Sequence, residues 1–117
     1  MLKVLCYEKC STCRKALKWL DENHIAYELR PIIDNNPSFD ELNTWYKSGN
    51  LPLKRFWNTS GLLYKENHLK EKIPFMSEEE QLQMLSTDGK LVKRPFLIGD
   101  DFILTGFKEE EWASHLL

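Results

Sequence analysis

The chain has 117 residues, of which 42% are hydrophobic, 29% charged and 12% aromatic, and this composition predicts a single globular domain over residues 1–117 rather than a disordered chain. The net charge of −2 at pH 7, with lysines scattered along the chain, argues against direct binding to nucleic acid. No apolar stretch approaches the length of a membrane span or of a signal-peptide core, so we expect a cytoplasmic protein that does not bind membranes.

The first third of the chain predicts a βαβ unit. An apolar stretch at 3–7 indicates a strand, and a helical apolar spacing that starts at Cys13 predicts an amphipathic helix from about residue 11 to 23. A second strand is expected at 26–30, where Pro31 interrupts the β-prone residues. Because only about a dozen helical residues join the two strands, they should be parallel, with a right-handed crossover.

The middle of the chain predicts a helical insertion over about 36–88. Two capping boxes, Ser38 with Glu41 and Ser77 with Glu80, each open a helix, and we expect these helices to end at the glycines at positions 49 and 89. Between them, 51–76 should form short irregular helical pieces broken by two prolines.

The last third returns to β structure. Apolar stretches at 96–98 and 102–104 flank a short turn that contains glycine, which predicts a hairpin, and a helix over about 108–116 follows. The order βαβ, helices, ββα predicts an α/β protein with a thioredoxin-like fold that carries a helical insertion.

Cys10 and Cys13 form a C-x-x-C pair between the first strand and the first helix, which is the context of redox thiols. A thiol at a helix N-terminus commonly has a pKa of about 3.5 to 7.5, against about 8.5 for a free thiol, and Arg14 adds positive charge nearby. Cys13 is in phase with the buried helix face. We therefore expect Cys10 to be the accessible attacking thiolate and Cys13 the resolving thiol, rather than two simply buried cysteines.

Cys6 extends the motif to C-x3-C-x2-C, a spacing that can hold an iron–sulfur cluster. Its position inside the strand and the small size of the chain favour a core residue instead. A zinc site would need a fourth ligand, and the three histidines have no metal-like spacing. A phosphatase loop would require arginine where the chain has Ala16. We expect no metal and no bound cofactor.

Two groups of cations are candidate anion ligands. Pro95 stands directly before the hairpin, where a thioredoxin-like fold usually has a cis-proline facing the cysteines, and this would aim Arg94 at Cys10. The planar guanidinium could then bind an oxyanion or a disulfide, whereas a solvated surface arginine is the alternative. For Lys54 and Arg55 an anion site and a solvated loop are equally open.

Three segments carry a resemblance to a known family: Cys10-Ser11-Thr12-Cys13-Arg14-Lys15-Ala16, Leu53-Lys54-Arg55-Phe56-Trp57-Asn58-Thr59-Ser60-Gly61 and Lys90-Leu91-Val92-Lys93-Arg94-Pro95-Phe96-Leu97. With them the chain resembles the arsenate reductase (ArsC) family, a group that includes the glutaredoxin-dependent enzymes, the YffB-like proteins and the Spx-type regulators. The segments are spread over nearly the whole length.

The resemblance implies a thioredoxin-like fold in which Cys10 attacks a small oxyanion and Arg94 binds that oxyanion beside a cis-Pro95. In the family's enzymes the cysteine attacks arsenate, and an external thiol, either glutathione with glutaredoxin or thioredoxin, completes its reduction to arsenite. A disulfide is the other substrate class that this site would suit.

Two positions depart from the enzyme pattern. The enzyme's other anion-binding arginines fall near Lys54 or Arg55 and near Phe107, which is not basic, and the enzyme has one motif cysteine where this chain has two. The cysteine pair resembles the Spx-type regulators, in which it is a redox switch and the protein binds the C-terminal domain of the RNA polymerase α subunit. Segment 54–61 looks closer to the reductase-like relatives than to the regulators. We expect a monomeric thiol oxidoreductase, with a redox-switched regulator as the alternative.

Overall fold

The protein is built on a four-stranded sheet, seen in a computed structural model that describes residues 2–49 and 51–117. The strands are β1 (Leu2–Cys6), β2 (Tyr27–Pro31), β3 (Phe96–Ile98) and β4 (Ile103–Thr105). Their spatial order is β2-β1-β3-β4, with β2 parallel to β1, β3 antiparallel to β1 and β4 antiparallel to β3. This arrangement confirms the predicted thioredoxin-like α/β fold.

Helices cover both faces of the sheet and fill the segment between β2 and β3. They are α1 (Ser11–Glu22), α2 (Phe39–Ser48), α3 (Leu62–Glu66), α4 (Leu69–Lys72), α5 (Glu78–Leu85) and α6 (Glu109–Leu116). Short 3-10 turns lie at Leu53–Phe56, Ile73–Phe75 and Gly89–Leu91. The helical insertion between the two halves is therefore confirmed. Within the described residues, no helix combines the length and the apolar character that crossing a membrane requires.

The side chains of β1 point alternately to the two faces of the sheet, and this determines which helices they contact. Val4 and Cys6 belong to the core cluster under α1 and α6, which also holds Leu20 and Trp112. Leu5 belongs to the opposite cluster, which packs against the insertion. Successive side chains of a strand point to opposite faces, so Cys6 lies on the same side of the sheet as the motif helix.

Both predicted capping boxes are present. The Ser38 hydroxyl accepts a hydrogen bond from the Glu41 N–H at 3.1 Å, and the Glu41 carboxylate accepts one from the Ser38 N–H. Ser77 and Glu80 repeat the arrangement at the start of α5. Each box satisfies donors that the first helical turn leaves free, which is why both helix starts could be read from the sequence.

Several boundaries differ from the prediction. β1 and β4 are shifted by one residue from 3–7 and 102–104, and Pro31 ends β2 within the ladder, opposite Cys6, instead of lying beyond the strand. β2 is an edge strand, and an edge tolerates a residue without an N–H.

The last helix of the insertion also ends earlier than predicted. α5 stops at Leu85, not at Gly89. Gly89 is buried instead against the backbone of Ile32, where a Cβ atom would collide with the Ile32 carbonyl oxygen. The glycine therefore serves a close backbone contact between distant segments, and it was misread as a helix stop.

Candidate functional site

The turn between β1 and α1 holds the two motif cysteines at different depths. The Cys10 N–H donates to the Tyr7 carbonyl at 2.9 Å, and Cys10 is the N-cap residue of α1. Cys10 is half-buried, whereas Cys13, one turn into the helix, is only 1% exposed. This is the difference in exposure that the helical phase predicts, while the chemical roles of the two thiols remain predictions.

Cys13 lies at the centre of a group of three free thiols. The Tyr7 N–H donates a hydrogen bond to the Cys13 sulfur at 3.5 Å, and Cys6, at the end of β1, belongs to the same buried cluster. Hydrogen bonding from Cys6 foremost, and then from the Tyr7 N–H and Cys10, outweighs burial and, with the positive charge of Arg94, lowers the pKa of Cys13 to about 6. The same hydrogen bond, together with burial, raises the pKa of Cys6.

A basic cavity of about 380 Å³ lies beside the N-terminal turn of α1. Its cationic lining residues are Lys54, Arg55, Lys93, Arg94 and Lys108, and Thr12 of the motif also lines it. Its described lining contains no carboxylate. Such a surface favours small anions beside Thr12, between the two motif cysteines in sequence, although no cysteine belongs to the described lining of the cavity.

Pairing between two distant segments builds this cavity. The Lys93 N–H donates to the Phe56 carbonyl at 2.8 Å, and the Asn58 N–H donates to the Leu91 carbonyl at 2.8 Å. An isolated antiparallel bridge joins Trp57 to Val92 between them. The predicted cations from 53–59 and from 91–95 are thereby brought to one place.

Arg94 connects the cavity to the thiols. The Arg94–Pro95 peptide bond is cis, as predicted, and Pro95 is buried. The Arg94 guanidinium carbon lies 5.0 Å from the centroid of the Tyr7 ring, in cation–π contact. Its Nη1 atom is buried without a hydrogen-bond partner among the described residues, and so is the hydroxyl oxygen of Thr105, which also lines the cavity.

The other predicted ligands have different settings. Lys54 is exposed at the cavity, whereas the Arg55 Nη2 atom donates to the Thr105 carbonyl at 3.1 Å and to the Glu111 carboxylate at 3.2 Å. Much of the charge of Arg55 is therefore already balanced. The structure does not bring Arg14 to this cavity: its Nε atom donates to the Glu8 carbonyl at 3.0 Å on another side of the motif.

That other side forms a second cavity, which we call the thiol cavity, of about 460 Å³. It is lined by Cys6, Tyr7, Glu8, Lys9, Cys13, Arg14, Leu17, Leu29, Pro31, Ile33 and Asp34. Both buried thiols thus border a space that the basic cavity does not share.

Sequence reasoning missed several of these neighbours. Lys108 stands next to Phe107, the position where the family comparison left a basic residue missing, and both line the basic cavity. Looking one residue further would have found it. Cys6 could have been placed beside Cys13 from the strand alternation, since Val4 and Cys6 share a face with α1.

The described residues contain no group of three or more histidine, cysteine or carboxylate side chains arranged to hold a metal ion. Three thiols do lie together, but they lack the geometry of a closed metal site.

Known proteins are similar to this chain over most of its length. The Bacillus subtilis protein YusI is 46% identical over 109 residues, covering 93% of this chain and 92% of YusI. The global transcriptional regulator Spx 2 of Bacillus anthracis is 26% identical over 107 residues, covering 92% of this chain and 80% of the regulator.

Two solved structures are also similar. An ArsC family related protein from Bacteroides fragilis superposes with a TM-score of 0.93 at 52% identity, covering 97% of this chain and 95% of that protein. A possible arsenate reductase from Streptococcus mutans has a TM-score of 0.87 at 36% identity, covering 97% and 98%. The model of the ArsC family matches residues 5–115. With that match over nearly its whole length, the chain belongs to the ArsC family.

Proposed function

We propose that the protein is a thiol-dependent oxidoreductase that resembles arsenate reductase and acts on a small oxyanion or a disulfide. One observation carries this proposal: Arg94 Nη1 and Thr105 Oγ1 are both buried without partners among the described residues, and both residues line the basic cavity. Buried polar atoms are nearly always hydrogen-bonded, so an acceptor of the size of an oxyanion explains the pair.

In the proposed reaction, the Cys10 sulfur gives up its proton and forms a bond to arsenic, while an arsenate hydroxyl group takes up that proton and leaves as water. The Cys13 thiolate then attacks the Cys10 sulfur. The sulfur–arsenic bond breaks with its electron pair going to arsenic, arsenite leaves, and a Cys10–Cys13 disulfide forms. External thiols, from glutathione with glutaredoxin or from thioredoxin, reduce this disulfide, so that no bound cofactor is needed.

The electrostatics of the site support both halves of this cycle. A pKa of about 6 makes Cys13 largely a thiolate at neutral pH, ready to resolve an intermediate on Cys10. The fork of Arg94 can hold two oxygens of an oxyanion while its charge still acts on the thiols. Among the lysines, Lys54, Lys93 and Lys108 raise the local anion concentration.

Turnover with a coupled thiol donor tests the proposal. Purified protein should reduce arsenate, or a small disulfide, when glutathione with glutaredoxin or thioredoxin with its reductase supplies electrons. Cys10→Ser should abolish turnover, and Cys13→Ser should allow only the first attack unless an external thiol resolves it. No turnover of either substrate class with either donor would reject the enzyme.

The relation to Spx 2, together with the C-x-x-C pair, favours a second candidate. In this reading the Cys10–Cys13 pair is a redox switch, and the protein binds the C-terminal domain of the RNA polymerase α subunit. Binding to that domain, measured with oxidised and reduced protein, separates the two readings. Both readings fit a monomer in the cytoplasm, a reducing compartment that would return the pair to its thiol form.

A further inference from the structure

Cys6 has no part in the proposed reaction, yet it is placed like a reacting group. It ends β1 on the face that packs against α1, it is buried in the same cluster as Cys13, and both residues line the thiol cavity. The peptide N–H that follows it, from Tyr7, donates to the Cys13 sulfur at 3.5 Å. Strand and helix are therefore held together at the point where the two thiols meet.

We propose that Cys6 is a third redox thiol, which exchanges with the Cys10–Cys13 disulfide to form a Cys6–Cys13 disulfide. This inference rests on the proposed function for the origin of the first disulfide. In the exchange, the Cys6 sulfur bonds to the Cys13 sulfur while the Cys13–Cys10 bond breaks. Cys10 leaves with the electron pair and takes up the proton that Cys6 gives up, so no further oxidant or reductant is required.

The order of the contacts suits this step. Cys6 and Cys13 are buried in one cluster, and the half-buried Cys10 packs against it, so Cys13 is the sulfur that can be shared between an attacking and a leaving thiol. Cys6 is only 5% exposed, and burial favours the neutral thiol over the thiolate, so the exchange should be slower than the resolution by Cys13. The order of events is then attack at Cys10, resolution by Cys13, and transfer to Cys6.

This exchange would let the substrate bind at the basic cavity while the disulfide is reduced from the thiol cavity. After the exchange, the half-buried Cys10 is again a free thiol at the start of α1, while the disulfide lies between β1 and α1. Cys6 and Cys13 both line the thiol cavity, which is open between α1 and the β2 edge. A small donor thiol could reduce the buried disulfide from that side without passing Arg94.

Peptide mapping tests the inference, because trypsin separates Cys6 from the other two cysteines. Cleavage after Lys3, Lys9 and Arg14 gives peptides 4–9 and 10–14. A Cys10–Cys13 disulfide leaves peptide 10–14 alone, lighter by two hydrogens, whereas a Cys6–Cys13 disulfide links the two peptides. The reduced protein is oxidised with diamide, quenched in acid after increasing times, alkylated and digested without reductant.

In the wild type, the internally oxidised peptide should form first and then decline as the linked pair rises. Cys10→Ser should still give the linked pair, and Cys13→Ser should lose it. Cys6→Ala should stop at the internal disulfide. No linked pair in folded Cys10→Ser, or an undiminished pair in Cys13→Ser, would overturn the proposal. Diamide replaces the natural substrate in this experiment, so a failure of arsenate turnover leaves its outcome unaffected.

Discussion

The basic cavity and the thiol cavity meet the same helical turn from different sides. Thr12 lines the first, and Cys13 and Arg14 line the second. One helical residue corresponds to a rotation of about 100°, so Thr12 and Arg14 are about 200° apart around α1. Residues that are neighbours in sequence at the start of a helix can therefore line different cavities, here a basic cavity on one side and a cavity with buried sulfurs on the other.

The largest effect should come from the residue that joins the two sides. Arg94→Ala removes the buried donor of the basic cavity, and we expect kcat/KM for oxyanion reduction to fall about 10²–10³-fold, as when a donor to a developing anion is lost. Arg94→Lys should recover only part of this loss, because an ammonium lacks the planar fork.

The same variant should distinguish substrate turnover at the basic cavity from oxidation of the thiols. Diamide should still oxidise the thiols of Arg94→Ala, since their contacts with one another do not depend on the guanidinium. Steady-state kinetics and peptide mapping on one preparation measure both properties. Full turnover by Arg94→Ala would show that the basic cavity is not where the substrate binds.

The next effect belongs to the thiol cavity. In a Cys10→Ser background, the ultraviolet absorbance of the thiolate should titrate with a midpoint of about 6, with Cys13 ionised above it. Cys6→Ala removes the strongest donor to that sulfur. The midpoint should then move up towards the value of about 8.5 for a free thiol.

Cys6→Ser provides the matched control for this titration, because its hydroxyl can donate in place of the thiol. It should hold the midpoint close to that of the parent. An unchanged midpoint in Cys6→Ala would mean that Cys6 is an ordinary core residue, as the sequence alone favours.

A smaller effect should come from the exposed cations around the basic cavity. Lys108→Ala removes one exposed charge, which typically contributes about 0.2–1 kcal/mol, so KM for an oxyanion should rise about 1.4- to 5-fold with little change in kcat. Added salt should reduce the difference between variant and wild type. Lys70→Ala, exposed on α4 and outside the cavity, is the control and should leave KM unchanged.

The parts of the molecule that could be read from the sequence are those governed by local rules. α1 was predicted to within a residue from its apolar spacing, and both capping boxes marked their helices, because each depends on contacts within one turn. The predicted end of α5 was wrong because Gly89 is required by its close contact with the backbone of Ile32, which is far away in sequence. Local patterns carry no information on such a contact.

The site divides in the same way. The cysteine pair, Arg94 and the cis-proline follow from motifs, and Lys108 could have been found next to Phe107, whereas Thr105 joins the cavity only through the hairpin and its pairing. Cys6 is an intermediate case. Its face of β1 follows from the alternation of the strand, but its hydrogen bond to Cys13 requires the packing of α1 on that face.

The smallest effect should come from an ion pair outside both cavities. It tests whether a loss of stability alone lowers turnover. Arg30 of β2 forms a fork with the Glu41 carboxylate, at 2.6 and 2.9 Å, and this contact, helped by the Ser38 N–H, lowers the pKa of Glu41 to about 2. A lowered carboxyl pKa stabilises the folded state fully above the unfolded value of about 4.5, and this stabilisation is lost as the pH falls through about 2. Because the Glu41 side chain is 37% exposed, Glu41→Gln should lower the free energy of unfolding at pH 7 by only about 0.5–1 kcal/mol.

Urea titrations of the wild type and Glu41→Gln at several pH values measure this difference, which should narrow as the solution is acidified from pH 5 to pH 2. Asp40→Asn, one residue away and exposed on α2, is the matched control and should change stability less. Oxyanion turnover should stay within about twofold of wild type in both variants, because neither residue lines the basic cavity. If turnover instead fell with stability, the loss expected for Arg94→Ala would need correcting for unfolding before it could be assigned to the basic cavity. If turnover stays constant while the free energy of unfolding falls, the effects of substitutions in the two cavities can be assigned to their chemistry. The cations would then act on the substrate, and the sulfurs would act on one another.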